Sequence, residues 1–521
     1  PVATPAPNDK SIAVLPFVDM SAEKDQDYMS DGIAEELLNL LAKIPELQVT
    51  SRSSAFSFKG KEAKLADVAR EADAVQADLS GARDAADSAS VAAADAAASD
   101  ANAALATLAN IASDNVLTPG DDRALIDAAI ARVILSGWFV LGPEVAAFEA
   151  AFAEQFGSRF AVMVNSGSSA NLLMAAALTF TQNPALRLSR GDEVIVPAVS
   201  WPTTYYPLSQ YGYRLKFVDI DLETLNYDLA ALEAAIDDQT RAIMAVNLLG
   251  NPNEFERIAR LTAGRDIRLL EDNCEAMGAK YAGRQAGTFG VMGSFSCFFS
   301  HHISTMEGGV VVTDDEELCH ILLALRAHGW TRDLPKNNRL VGTKGDDPFE
   351  ESFRFVLPGY NLRPLELSGA IGREQLQKLP ALIEGRRANA ARLTQVLGDH
   401  PDILLQHEVG ESSWFGFSLV IRPGSSMKRP RLVRRLTEAG FECRPIVAGN
   451  FARNEVMSLM DHKISGPLKN ADHIHDNGLF IGNHHTPMDE AIEALALPAP
   501  ITIQRPRIPC GNNCFKNLGI A

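Results

Sequence analysis

Three stretches of the sequence place reactive side chains where an apolar run gives way to a polar turn. The first is Asn165-Ser-Gly-Ser-Ser-Ala-Asn-Leu-Leu, which follows Ala161-Val-Met-Val. A Gly/Ser turn that opens a helix presents backbone N–H groups and hydroxyls to an anion, so Gly167 and Ser168 could cradle a phosphate. Such turns are also plain helix caps, and this one alone decides nothing. The second is Leu269-Leu-Glu-Asp-Asn-Cys-Glu-Ala, an apolar strand that ends in acids. Open α/β sheets contact ligands at such strand ends. Asp272 could bind a protonated pyridine nitrogen and keep the ring an electron sink; an acid merely solvated at a strand end is the plainer alternative. The third is Gly293-Ser-Phe-Ser-Cys-Phe-Phe-Ser-His-His-Ile-Ser-Thr-Met-Glu-Gly-Gly. Two adjacent histidines are, by themselves, more often structural or surface groups than catalysts.

The elements that must position these residues run from about 121 to 498. Glu193-Val-Ile-Val-Pro, Leu215-Lys-Phe-Val-Asp, Ala242-Ile-Met-Ala-Val and Arg268-Leu-Leu-Glu-Asp alternate with helical stretches. That alternation predicts an α/β domain, a sheet with helices on both faces. Ahead of it, residues 1–60 hold two strand-like runs, Ser11-Ile-Ala-Val-Leu-Pro-Phe and Leu47-Gln-Val-Thr. Between them Asp31 can cap the helix Gly-Ile-Ala-Glu-Glu-Leu-Leu. This is a small βαβ-like fragment. Residues 61–120 are rich in Ala, Asp and Ser, with few large apolar groups to bury, which suits a solvated helix or a disordered linker. Residues 499–521 read as a frayed tail, in which Cys510 and Cys514 give a weak metal hint.

Bulk composition narrows the function classes. Hydrophobic residues make up 46% and charged residues 22%, as in soluble globular enzymes. A net charge of -18 argues against a nucleic-acid partner, which requires a basic face. A few arginines could still serve an anionic small substrate. Six scattered cysteines suggest no disulfide framework and point to a reducing cytoplasm. No apolar run of about eighteen residues marks a membrane span. The chain begins at Pro1 without a methionine or an apolar signal core, and a processed or truncated start stays open.

In order and spacing, the three stretches resemble the DegT/StrS sugar aminotransferase family, built on the fold-type-I pyridoxal-phosphate scaffold. Ser136-Gly-Trp-Phe-Val-Leu-Gly-Pro-Glu-Val-Ala-Ala-Phe-Glu, Val218-Asp-Ile-Asp, Gly359-Tyr-Asn-Leu-Arg and Ile481-Gly-Asn-His extend the likeness across most of 121–498. The resemblance implies a large domain with a mainly parallel seven-stranded sheet over 121–375. A small carboxy-terminal α/β domain over 376–498 would complete the site. Residues 9–60 separately resemble the amino-terminal module of TolB-type proteins through Ile12-Ala-Val-Leu-Pro-Phe, Ser30-Asp-Gly-Ile and Phe56-Ser-Phe-Lys-Gly-Lys.

The informative departure is His301. Ordinary members of the family carry a lysine six residues before Glu-Gly-Gly and hold the cofactor through it; here that position is histidine. Within the family a histidine there marks the sugar 3-dehydratases. An imidazole cannot anchor the cofactor covalently, so the cofactor would work unanchored as pyridoxamine 5′-phosphate. The substrate implied is a nucleotide-linked 4-keto-6-deoxyhexose, whose C3 hydroxyl leaves after His301 removes a proton. L-glutamate would then restore the amine form from pyridoxal 5′-phosphate. Carried over position by position, Asp272 would pair with the pyridine nitrogen and Glu275 would lie near the phenolic oxygen. Trp201 would stack on the ring, unless it is ordinary core packing. Gly167, Ser168 and Ser296 would hold the phosphate. Asn361 would reach the phosphate of a neighbouring subunit, which implies a homodimer with shared sites. Arg332 and Arg444 are candidates for substrate or glutamate anions. For His302 a structural role is preferred to a catalytic one.

Three other readings stand beside this one. A nucleotide-sugar 4-aminotransferase conflicts with His301. An iron–sulfur-dependent CDP-4-keto-6-deoxyglucose 3-dehydrase needs four converging thiolates, and Cys274, Cys297, Cys319 and Cys443 lack a clustered pattern. A non-catalytic ligand-binding or scaffold role conflicts with retention of Asp272, Glu275 and Ser296.

Overall fold

The computed structural model describes residues 11–12, 48–49 and 122–495, with side chains from 125 onward. Contacts divide the chain into two units, 1–109 and 110–521. In the first, Ser11–Ile12 and Gln48–Val49 pair as parallel strands, at the two segments read as strands. The helix expected after Asp31, the 61–120 linker and the 499–521 tail lie outside the described residues.

The second unit is built on one large sheet and one small one. Seven strands of the large sheet come from the first part of the unit. They are β1 (Phe160–Val164), β2 (Glu193–Pro197), β3 (Arg214–Val218), β4 (Thr240–Val246), β5 (Arg268–Asp272), β6 (Met292–Ser296) and β7 (Gly309–Thr313). The small sheet adds β8 (Ile403–Leu405), β9 (Gly416–Ile421), β10 (Cys443–Arg444) and β12 (Gly478–Gly482). It is antiparallel throughout, in the order β8-β9-β12-β10. The intervening strand β11 (His462–Ile464) leaves the small sheet and pairs in parallel with β3.

The large sheet therefore has eight strands, ordered β11-β3-β2-β4-β5-β6-β7-β1. The seven expected from residues 121–375 are all there, and the eighth comes from beyond residue 376. Its pairing is reinforced by charge. Lys463 meets the buried Glu193, and Lys216 lies 2.7 Å from both Glu193 and Asp237. All pairings except those of β7 are parallel. Strands such as β2 are buried along their whole length because helices cover both faces.

Four helices matter for the site: α1 (Pro143–Phe156), α2 (Gly167–Phe180), α3 (Pro202–Gln210) and α4 (Glu366–Leu397). Helix α2 starts directly after β1 and packs its apolar side into the main core with Leu173, Met174 and Leu178. Helix α4 runs without interruption for 32 residues, so the expected division at 375/376 falls inside a single helix shared by both parts. Among the described residues, no helix is long and apolar enough to cross a membrane.

Candidate active site

A cavity of about 700 Å³ draws its walls from elements far apart in sequence. From β1 and α2 come Ser166, Gly167 and Ser168; from the ends of β5 and β6 come Asp272 and Ser296; from the following turn comes His301. Parallel pairing sets Ser294 of β6 beside Asp272 of β5, so the two strand ends open on one place.

The start of α2 is shaped for a small anion. Ser166 caps it by accepting from the Ser169 N–H at 3.1 Å. Gly167 is the first helical residue, and a Cβ there would lie 2.6 Å from Ser296 Cβ and 3.0 Å from Cys274 Sγ. Only glycine leaves the space between that helix end and the Ser296 hydroxyl open. Ser168 Oγ reaches Thr203 Oγ1 at 3.2 Å, extending the hydroxyl-lined rim.

Asp272 is buried and held firmly. Its Oδ2 accepts from Asn171 Nδ2 at 2.8 Å and Thr204 Oγ1 at 2.7 Å, and its Oδ1 from the Cys274 N–H at 3.2 Å. This carboxylate sits at the cavity wall with no cation paired to it among the described residues, as a partner for a cationic ring nitrogen requires. Glu275, also on the wall, accepts from the Leu249 N–H at 3.0 Å. Burial, with the Asp272 charge adding, pushes its carboxyl up to about 7. Trp201 caps the start of α3 and is 56% exposed, so it is not core packing; its indole lines the cavity.

His301 stands where the turn after β6 faces the cavity. Its ring packs against Phe298 and Phe415, with centroids 5.9 Å and 5.0 Å away. Its Nδ1 is buried without a hydrogen-bond partner. Burial, followed by the charge of Arg386, holds the imidazole down to about 4, so it is neutral at physiological pH. His302 is not part of the cavity wall. It is buried, and its Nε2 meets the Ser413 carbonyl at 3.1 Å, which gives it a structural anchor.

Gly167, Ser168, Trp201, Asp272, Glu275, Ser296, His301 and Arg444 thus converge on one cavity. Arg444 is exposed and carries Glu442 at 2.7 Å. Asn361 and Arg332 do not line the cavity. Asn361 is exposed and accepts from Arg363 Nε at 2.9 Å. Arg332 is exposed, stacks 4.2 Å over Trp330 and donates to the Ser352 carbonyl. The four described thiols do not converge either: Cys274 is at the cavity, and Cys297 and Cys319 belong to separate core clusters, with Cys443 against a third.

Sequence reading missed several wall residues. Leu249, Phe415, Val447 and Phe480 are ordinary apolar residues with no motif around them. Two of these carry left-handed backbones, Leu249 with φ 55° and Val447 with φ 41°. Side chains other than glycine are rarely held so except where surrounding structure enforces it, often at functional sites.

The set fits a phosphorylated pyridine cofactor: an open helix start for the phosphate, a buried acid for the ring nitrogen, an exposed indole for a ring face and an imidazole on the cavity wall. A profile of the DegT/DnrJ/EryC1/StrS aminotransferase family matches residues 121–496. The GDP-4-keto-6-deoxy-D-mannose 3-dehydratase of Yersinia pseudotuberculosis is 60% identical over 368 residues, covering 70% of this chain and 93% of the relative. A crystal structure of GDP-4-keto-6-deoxymannose-3-dehydratase, a histidine-to-asparagine mutant with bound GDP-perosamine, is similar with 56% identity and a TM-score of 0.71, over 73% of this chain and 98% of that one. A second, with a trapped PLP-glutamate geminal diamine, matches with the same identity, TM-score and coverage.

Proposed function

The chain belongs to the DegT/DnrJ/EryC1/StrS aminotransferase family, and from that premise we propose that it is a pyridoxal-phosphate-dependent dehydratase removing the C3 hydroxyl of GDP-4-keto-6-deoxy-D-mannose. The observation that carries this reading is His301: a neutral imidazole, its Nδ1 buried without a hydrogen-bond partner, at the position where an aminotransferase needs an anchoring lysine.

Pyridoxamine 5′-phosphate, when bound, would supply an amine for the C4 ketone and an electron-accepting ring for loss of the C3 hydroxyl. Gly167, Ser168 and Ser296 would hold its phosphate, Asp272 would pair with the pyridine nitrogen, Trp201 would cover one ring face, and Glu275 would lie near the phenolic oxygen. His301 takes up the proton whose removal starts the elimination and, as the imidazolium, is placed to return a proton to the departing hydroxyl. Phe298, Phe415 and Phe480 exclude water from that exchange. L-glutamate would be the amine donor that resets the site, as the glutamate adduct in a relative's structure supports. Arg444 receives the carboxylate or diphosphate at the rim. Arg332 and Asn361, exposed on the described chain, serve the site of a second subunit in a homodimer. The product is a 3-deoxy sugar nucleotide for lipopolysaccharide O-antigen, made in the cytoplasm.

The test combines protein, pyridoxal phosphate, glutamate and GDP-4-keto-6-deoxymannose. Loss of the C3 hydroxyl with release of ammonia and 2-oxoglutarate supports the reading. A 4-amino sugar would make the chain an aminotransferase, and absence of turnover with any 4-keto sugar nucleotide would return it to a binding role.

A further inference from the structure

Two arginines sit side by side on α4 and are treated very differently by their surroundings. Arg387 reaches a carboxylate, Glu408, at 2.6 Å. Arg386 is only 5% exposed, and among the described residues no carboxylate pairs with it. Its Nη1 donates to two backbone carbonyls, Phe415 O at 3.0 Å and Asn483 O at 2.6 Å, while its Nε is buried without a partner. A buried charge without a counter-charge is costly and persists only where something depends on it.

What lies beside it is the proposed base. Phe415, whose carbonyl holds the guanidinium, lays its ring 5.0 Å from His301 and 5.7 Å from His302. We infer that Arg386 is a positioning residue whose unneutralised charge, reaching His301 past Phe415, adds to burial in favouring the proton-accepting form of that histidine; this rests on the dehydratase reading above. Asp272, Glu275 and Glu307 line the same cavity as His301, and a carboxylate that ionises there favours an imidazolium, although burial raises the carboxyls of Glu275 and Glu307. Cys274 lies there too, its thiol pushed well up by burial and therefore neutral. Arg444 faces the cavity, but it is exposed and already carries Glu442. On the far side, His302 and His484 are themselves held down by burial and by Arg386, so neither supplies a compensating cation. Arg386 is the buried cation facing the pair from α4. Burial contributes most to keeping His301 ready to accept a proton, and the field of Arg386 adds to it.

A purely structural role is the competing explanation, since Arg386 ties α4 to the segments around Phe415 and Asn483. The two are separated by titrating His301 in full-length protein labelled at histidine Cε1, with the resonance assigned by His301→Asn. Arg386→Gln and Arg386→Met remove the charge, and Arg386→Lys keeps it. The expected result is that both charge-free variants raise the proton affinity of His301 at least tenfold, with the acid limb of kcat/KM moving by the same factor. Arg386→Lys stays within about threefold of the parent despite losing the forked geometry. Folded charge-free variants with an unmoved His301 titration would overturn the inference, as would an Arg386→Lys shift equal to theirs. Should the parent fail to dehydrate any sugar while the NMR shift appears, the field of Arg386 stands and the dehydratase reading is what falls.

Discussion

The backbone N–H of Leu249 donates to Oε2 of Glu275 at 3.0 Å, and the Leu249 carbonyl accepts from the Phe415 N–H at 3.1 Å. One left-handed residue thus joins an acid on the cavity wall to the ring that packs on His301. Glu275 is the most exacting member of that chain, because its carboxyl is held up at about 7 from 4.5 by burial. A raised carboxyl binds its proton more tightly in the fold than in the unfolded chain. Its contribution is present below 4.5 and is lost as pH climbs through 7. Glu275→Gln keeps an acceptor for Leu249 without the ionisation. The variant should gain stability relative to the parent as pH rises from 5 to 8, by on the order of 1–2 kcal/mol. Paired chemical denaturation curves of the cofactor-free proteins across that range check the sign.

Replacing the histidine itself tests the chemistry. His301→Lys should lose at least about 100-fold in C3 deoxygenation, since the base is gone. It should also acquire the absorbance of covalently held cofactor, surviving gel filtration. A variant that still dehydrates at the parent rate would remove His301 from the reaction.

The phosphate cradle depends on a missing side chain. Gly167→Ala puts a methyl 2.6 Å from Ser296 Cβ, so either the helix start or the serine must shift. Pyridoxal-phosphate affinity should fall at least about tenfold while the cofactor-free melting temperature changes little. Fluorescence titration with the cofactor measures it; unchanged affinity would place the phosphate elsewhere.

Asn361 offers a test of shared sites. If it serves the opposite subunit, a mixture of Asn361→Ala and His301→Asn proteins, each nearly inactive alone, should regain about a quarter of parental activity through mixed dimers. Failure to recover after subunit exchange would confine each site to one chain.

The amino-terminal unit should be dispensable. Protein lacking residues 1–120 retains every residue on the cavity wall and the whole second core. It should keep kcat/KM within about twofold and its melting temperature within a few degrees. Insoluble or inactive truncated protein would mean that the front residues support the fold.

Much of this site was legible because its chemistry is packed into short contiguous stretches. Gly167, Asp272 and His301 each stand at the end of an apolar run, where strand burial and a turn leave a recognisable mark. Phe415 and Leu249 had no such mark: their importance comes from a backbone pairing across more than a hundred positions. Arg386 sat unnoticed in the surface-like run Gly-Arg-Arg, and only its burial distinguishes it from Arg387. The eighth strand escaped notice because His462–Ile464 is three residues long with no alternation to read. Trp201 shows the opposite case, where the residue was legible but its exposure, and so its purpose, was not.

That eighth strand has a consequence for synthesis. His462–Ile464 covers the flank of Arg214–Val218, a strand that left the ribosome about 250 residues earlier. Throughout that interval the nascent chain carries an open β-edge bearing Leu215 and Phe217, the kind of template that invites pairing with another nascent chain. A stalled or prematurely ended message would therefore release a sticky, unfinished sheet, and the protein's yield in the cell should depend on chaperone supply until the last strand docks.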